Sequence, residues 1–299
     1  MSQIELIIEA RRKNLGDFEV GRILPYPSHR MVGPFIFLDH MGPVDLPAGL
    51  PQSADVRPHP HIGLSTLTYL FEGEITHRDS LGVHQKIQPG EVNWMTAGTG
   101  ITHSERFEKM RAEGGRLHGV QAWVALPLDQ EDCDPAFDHY AEDELPTFES
   151  DGLWARLVAG NAFGATAPVA VRSPLFYVHW KLRAGATAEL PAEYPERAAY
   201  VVSGEVEVLG ESINEGKMVV FTPGDPVTFT AKSESVVMLL GGDPVGERLI
   251  EWNFVASTRE RLEKAKDDWR AQRFKLPPDD NHEFTPLPND PPPPAQPMS

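Results

Sequence analysis

The chain has 299 residues, with 27 Lys or Arg against 44 Asp or Glu, for a formal charge of −17. A surface that acidic repels phosphate backbones and anionic bilayers, so neither nucleic acid nor membrane is an expected partner. No apolar run approaches the roughly 18–20 residues of a membrane span, no secretory pattern opens the chain, and Cys133 is the sole cysteine.

That single cysteine rules out an internal disulfide framework and any thiolate metal cluster, and it makes the cytoplasm the expected location. The 28 Pro and 25 Gly favour many short strands over long helices. Residues 1 to about 128 carry apolar runs near period two: GPFIFLDHMGP at 33–43, LSTLTYLFEG at 64–73, VHQKIQPGEVNWMTAG at 83–98 and LHGVQAWVALP at 117–127. Residues 129–151 hold ten acidic groups and no Lys or Arg, with Pro135 and Pro146 against any helix, and read as an exposed connection. A second β-rich stretch covers about 152–255, through AYVVSGEVEVLG, GKMVVFTPGDPVTFT and ESVVMLLGG. A helix is predicted at about 257–274, opened by a capping box of Ser257 and Glu260, with Leu262, Ala265 and Trp269 on one face. From Leu276 onward nine of 24 residues are Pro, which predicts an extended or disordered tail over about 276–299. The expected division is therefore an N-terminal unit at 1–140 and a C-terminal unit at 141–299.

The two units align on one another. Tyr69 to Glu74 (YLFEGE) matches Tyr200 to Glu205 (YVVSGE) at an offset of 131, and Pro89-Gly90 matches Glu215-Gly216 at an offset of 126. At these offsets His59 and His61 fall on Leu190 and Ala192, while His103 and Glu105 fall on Phe229 and Ala231. One copy carries polar groups where the other is apolar, so the second reads as scaffold.

Those polar groups are His59-Pro-His61 and His103-Ser-Glu105. On a strand, residues i and i+2 share a face, so each tripeptide aims two potential ligands the same way. Converging in one small barrel, three imidazoles and a carboxylate suit iron, manganese, nickel, copper or zinc. On an octahedral ion they leave two positions open, enough for a bidentate substrate or for substrate plus dioxygen.

Other candidates read as structural. His77 and His84 could line a pocket mouth but fit equally as solvated strand residues. His29, His40 and Asp39 lie near a turn, where a structural role is favoured over one supporting the site. Ser65, His61 and Asp79 form no nucleophile motif. Cys133 sits among acids that raise its pKa. Trp94 and Trp123 read as core. The prolines at 291–294 could fit an SH3-like groove, although a solvated tail is favoured.

GPFIFLDHMGP, HPHIGLSTLTYLFEGEITHRDSLG and PGEVNWMTAGTGITHSE together resemble the pirin family of the cupin superfamily. WNFVAS at 252–257, AKDDWRAQRF and EFTPLP at 283–288 extend the likeness over nearly the whole chain. The resemblance implies an all-β bicupin: two antiparallel β-barrels of the double-stranded β-helix type in tandem, here followed by the helix and the Pro-rich tail. It implies one metal, usually iron as Fe(II), held by His59, His61, His103 and Glu105 in the N-terminal barrel, with a metal-free C-terminal barrel. It also implies one of two activities. The first is opening of the flavonol quercetin at its 2,3-bond by O2 with release of CO, with Glu105 doubling as general base. The alternative is a metal-containing, redox-sensing regulator that binds a protein partner without turnover.

Overall fold

The computed structural model describes residues 3–14 and 19–288, so the prolines at 291–294 lie outside the described residues. Each half is a pair of facing antiparallel sheets. In the first, a seven-stranded sheet containing Phe35–Leu46, Leu64–Glu72, Val92–Thr96 and Gly115–Ala125 faces a four-stranded sheet. That smaller sheet runs in the order Val56–His61, Ile101–Arg106, Ile75–Asp79, His84–Ile87. The second half repeats the plan with eight and four strands. The expected cupin architecture is present, although its sheets keep open edges as sandwich layers and do not close into barrels.

The halves pack through their larger sheets. Phe35, Leu38, Leu67, Trp94 and Val120 from one side share a single core with Tyr177, Met218, Met238 and Leu240 from the other. This explains why Leu64–Glu72 is buried along seven consecutive residues: one face looks into its own half and the other onto the partner half. Strand exchange adds to the union. Ile4–Glu9 pairs with Lys217–Phe221 of the second half, so the N-terminal strand does not join a sheet of the unit with which it is contiguous. The acidic stretch 129–151 is likewise no free connection. Ala136–Tyr140 adds to the first half's large sheet, Thr147–Ser150 adds to the second's, and Glu131 is buried.

Register fixes the equivalence of the halves. Gly90 N–H donates to Leu70 C=O, and Gly216 N–H donates to Val201 C=O, as the repeat requires. His59 opposes His103 and His61 opposes Ile101, whereas Ala188 opposes Phe229 and Leu190 opposes Val227. The HPH strand therefore corresponds to Ala188 and Leu190, two residues earlier than the alignment on the Tyr-Gly runs places it. The intervening turn differs in length, which no motif in the turn itself reveals. The second interior is still apolar, a continuous cluster that includes Trp180, Leu190, Phe229 and Ala231. The first interior is broken into smaller clusters around its histidines.

The helix spans Arg259–Arg270 and is shorter than expected. Its cap is Thr258, which accepts from Arg261 N–H. Ser257 is instead taken by the buried Glu131, which accepts from both its N–H and its hydroxyl. Glu131, 126 residues away in sequence, competes successfully because it is desolvated and needs both donors. No helix among the described residues is long and apolar enough to cross a membrane.

Two buried Tyr–His pairs cross the interface as near mirror copies. His40 Nδ1 meets Tyr200 OH at 2.8 Å, and His179 Nδ1 meets Tyr69 OH at 2.9 Å. Val120 separates Tyr69 from His40 on the first sheet as Met238 separates Tyr200 from His179 on the second. His40 thus belongs to the interface between halves and not to a turn or to the site, while Asp39 holds Arg22 in a two-pronged ion pair. Burial lowers the pKa of His40 to about 4 and that of His179 well below the usual value, so both are neutral in the fold. In the unfolded chain they titrate near 6.5 and bind more protons on acidification. Stability they contribute above pH 6.5 is therefore lost as pH falls towards 4, by about 3 kcal/mol for His40 at roughly 1.4 kcal/mol per unit. Thermal unfolding scanned over this window should show a steep fall that becomes shallower in the His40→Asn/His179→Asn variant. An unchanged slope would refute the assignment.

Candidate metal centre

Alternation on two paired strands builds the site. Val56–His61 and Ile101–Arg106 run antiparallel with His59 opposite His103, so HPH and HSE point their odd-numbered residues to one side. His59, His61 and His103 each bring a ring nitrogen to within 4.8 Å of the others, the one such cluster among the described residues. Their ring centroids stand 4.4 to 5.1 Å apart, with His61 also edge-on to Trp123 at 4.9 Å. Trp123, expected as plain core, thus also walls the site.

Each ring is held by its other nitrogen. His59 Nδ1 donates to Arg57 C=O and His61 Nδ1 donates to Asn253 C=O, both at 2.9 Å. A carbonyl can only accept, so both rings carry the proton on Nδ1 and turn a bare Nε2 lone pair inward. His103 Nε2 is buried without a hydrogen-bond partner. Burial holds all three imidazoles below their ordinary range, to about 4 for His59. Neutral rings, inward lone pairs and an unpartnered nitrogen are what a cationic metal requires, so the residues fit a divalent ion.

Glu105 shares the strand face but stands outside the three-nitrogen cluster. Its Oε1 accepts from Gln121 Nε2 at 2.8 Å, and burial pushes its pKa up to about 7. Gln121, in Gly115–Ala125, carries no motif that marks it in the sequence.

His77, read as either pocket mouth or solvated strand, is buried beside the cluster together with Asp79. His103 Nδ1 lies 3.3 Å from His77 Nδ1, and His77 Nε2 lies 3.0 Å from Asp79 Oδ2. Asp79 is fully buried and its other oxygen accepts from Leu81 and Val83 N–H. A carboxylate fixes the proton on His77 Nε2, which leaves His77 Nδ1 as the acceptor for His103 and frees His103 Nε2. The cue was available: His77-Arg-Asp79 is another i, i+2 pair, on the strand next to Ile101–Arg106. His84, by contrast, is exposed and takes no part.

Gly63, immediately after HPHI, is set by close approach. Its φ is +67°, and a Cβ there would lie 2.1 Å from Val255 C=O. The segment carrying Asn253 can reach His61 only because this position lacks a side chain.

A three-histidine cluster inside the first of two tandem β-sandwiches defines a cupin with a candidate metal site. The pirin family matches residues 17–124 and the pirin C-terminal cupin domain matches residues 177–275. A pirin-like protein of Caulobacter vibrioides is 65% identical over 286 residues, covering 95% of this chain and 99% of that protein. The chain belongs to the pirin family. A crystal structure of quercetin 2,3-dioxygenase from Acinetobacter baumannii is 36% identical with a TM-score of 0.88, covering 97% of this chain and 96% of that one. A bacterial pirin from Escherichia coli in complex with nickel(II) shares the fold at 21% identity and a TM-score of 0.63, covering 80% of this chain and 99% of that one. Together these support a cupin metal-binding oxidoreductase.

Two substitutions test the construction of the site. Asp79→Asn keeps the turn acceptor but presents an N–H to His77, which reverses the tautomer and sets two N–H groups face to face at His103. Metal affinity, measured by competition with a chelator, should weaken by about 10–100-fold; unaltered affinity would show that the chain of contacts is idle. Gly63→Ala should cost at least about 2 kcal/mol in urea unfolding, from strained φ plus the backbone collision. A loss below about 0.5 kcal/mol would mean that the 252–256 segment yields freely.

Proposed function

We propose that the chain is a mononuclear metal-dependent dioxygenase that opens a flavonol such as quercetin at the 2,3-bond with O2 and releases CO. One observation carries the reading: three neutral imidazoles converge on one point, and His59 among them also lines a cavity of about 960 Å3, large enough for a flavonoid. The metal would be held by His59, His61 and His103, with Glu105 as a fourth ligand within the same strand face, in an N-terminal unit taken as 1–140. The C-terminal unit, 141–299, would be metal-free, because Ala188, Leu190, Phe229 and Ala231 occupy the corresponding positions.

When bound, Fe(II) would supply a Lewis acid that acidifies the substrate hydroxyl and a centre for dioxygen chemistry. The remaining work falls to the chain. Burial pushes the Glu105 carboxyl up to about 7 when it holds no metal bond, so to take the proton of the flavonol's enol-like hydroxyl it would first release the ion. Gln121 donates to Glu105 Oε1, which leaves the other oxygen as the one to take the proton. Trp123 and the buried sheet faces keep bulk water away from the imidazoles. The likeness to the quercetin 2,3-dioxygenase of Acinetobacter baumannii favours the same chemistry. A cavity that reaches a ligand imidazole favours turnover over the regulatory alternative.

Iron-loaded protein mixed with quercetin in air should release CO, and His61→Ala protein should not. Glu105→Gln should retain iron and lose about 10²–10⁴ in turnover, the usual worth of a positioned base. No CO from iron-loaded protein at high concentration would overturn the enzymatic reading and favour the regulatory one.

A further inference from the structure

Past the helix Arg259–Arg270 the described chain stays on the molecule as far as Leu287, which is buried. Residues 277–287 lie across the outer face of the first half, bound to the strand that carries the ligands. On Ile101–Arg106, His103 and Glu105 point inward, so Ser104 and Arg106 point outward. Both outward residues hold Asp280: Ser104 Oγ at 2.6 Å, and Arg106 through Nε and Nη2, each at 2.6 Å. Arg106 is only 2% exposed and also reaches Glu283 at 3.1 Å and Asp55 at 3.6 Å. Further along, Thr285 N–H donates to Pro58 C=O, the residue before His59. Trp269 packs edge-on against Phe284 and donates to Thr285 C=O, pinning the same segment from behind.

The cavity beside His59 is therefore built from two parts of the chain. Gln52, Arg57 and His59 line it together with Asn253, His282 and Thr285. A second cavity, of about 710 Å3 beside Trp154 and Lys181, lies in the other half and touches none of the site histidines. We propose that residues 277–287 are the specificity-determining wall of the metal site. The cavity between His282 and residues 52–57 selects by size what reaches His59, and the Asp280–Arg106 latch holds the wall in place. Its polar rim and the indole of Trp252 suit a hydroxylated aromatic ligand. This inference rests on the metal-site reading above, in which His282 and Asp280 are not ligands.

The test uses full-length protein loaded with Co(II), whose visible spectrum reports ligands arriving at the site. Azide serves as the small probe and 4-nitrocatechol as the hydroxylated aromatic one. His282→Trp should weaken 4-nitrocatechol roughly tenfold and leave azide unchanged, since added bulk narrows the cavity for the larger ligand only. Asp280→Asn should raise hydrogen exchange at the Thr285 amide and speed 4-nitrocatechol association at least about tenfold relative to azide, as the wall opens. If both probes shift together in His282→Trp, or neither does, the wall does not select. If exchange at Thr285 is unmoved in Asp280→Asn, the latch is wrong. Failure of the underlying reading looks different: wild-type protein would develop no cobalt spectrum, or would keep it after His59, His61 and His103 are all replaced.

Discussion

The whole site depends on which nitrogen of each imidazole carries its proton. A neutral histidine offers one donor and one acceptor, and burial here forbids the doubly protonated form. Once Arg57 and Asn253 present carbonyls to Nδ1 of His59 and His61, the lone pairs must face inward. His103 reaches the same state by a longer route, through His77 to Asp79. Three different acceptors thus impose one orientation. A ring free to flip would turn an N–H inward part of the time, and metal affinity would fall accordingly.

One of those acceptors, Asn253, comes from a distant part of the chain, which gives the C-terminal region its purpose. Asn253 is 192 residues from His61, and the approach that brings it there passes over Gly63. The second half contributes in another way. Its interior is filled with aromatic and aliphatic side chains, its large sheet backs the first half's, and the reciprocal Tyr–His pairs fix the two against each other. A polar site weakens the core that surrounds it, since each group lodged there displaces apolar contacts. A fully packed neighbour with a shared core compensates.

Much of this was legible from sequence because strands alternate. HPH and HSE declare a shared face without any knowledge of the fold, and the internal repeat shows that only one copy has them. The Tyr69 and Tyr200 runs marked equivalent strands correctly, but the HPH strand lay two residues off that alignment because turn length is not encoded in the flanking runs. What alternation could not reveal was contact across large sequence separations. Arg106 and Asp280 are 174 residues apart, so nothing local shows that a stretch expected to be extended or disordered lies, at 277–287, against the ligand strand. The same applies to the acidic stretch 129–151, where Glu131 and the strand Ala136–Tyr140 find partners that local composition cannot show. His77 was misjudged for a simpler reason: its i, i+2 partner Asp79 was weighed as a nucleophile component and not as a carboxylate behind an imidazole.

The central claim is that one metal ion sits among the Nε2 atoms of His59, His61 and His103 and that the second half holds none. Anomalous diffraction from crystals of the metal-loaded protein, collected at the absorption edge of the bound element, tests it directly. The account predicts one peak per chain, within bonding distance of all three nitrogens. A peak in the second sandwich, or one that leaves any of the three imidazoles uncoordinated, would contradict it.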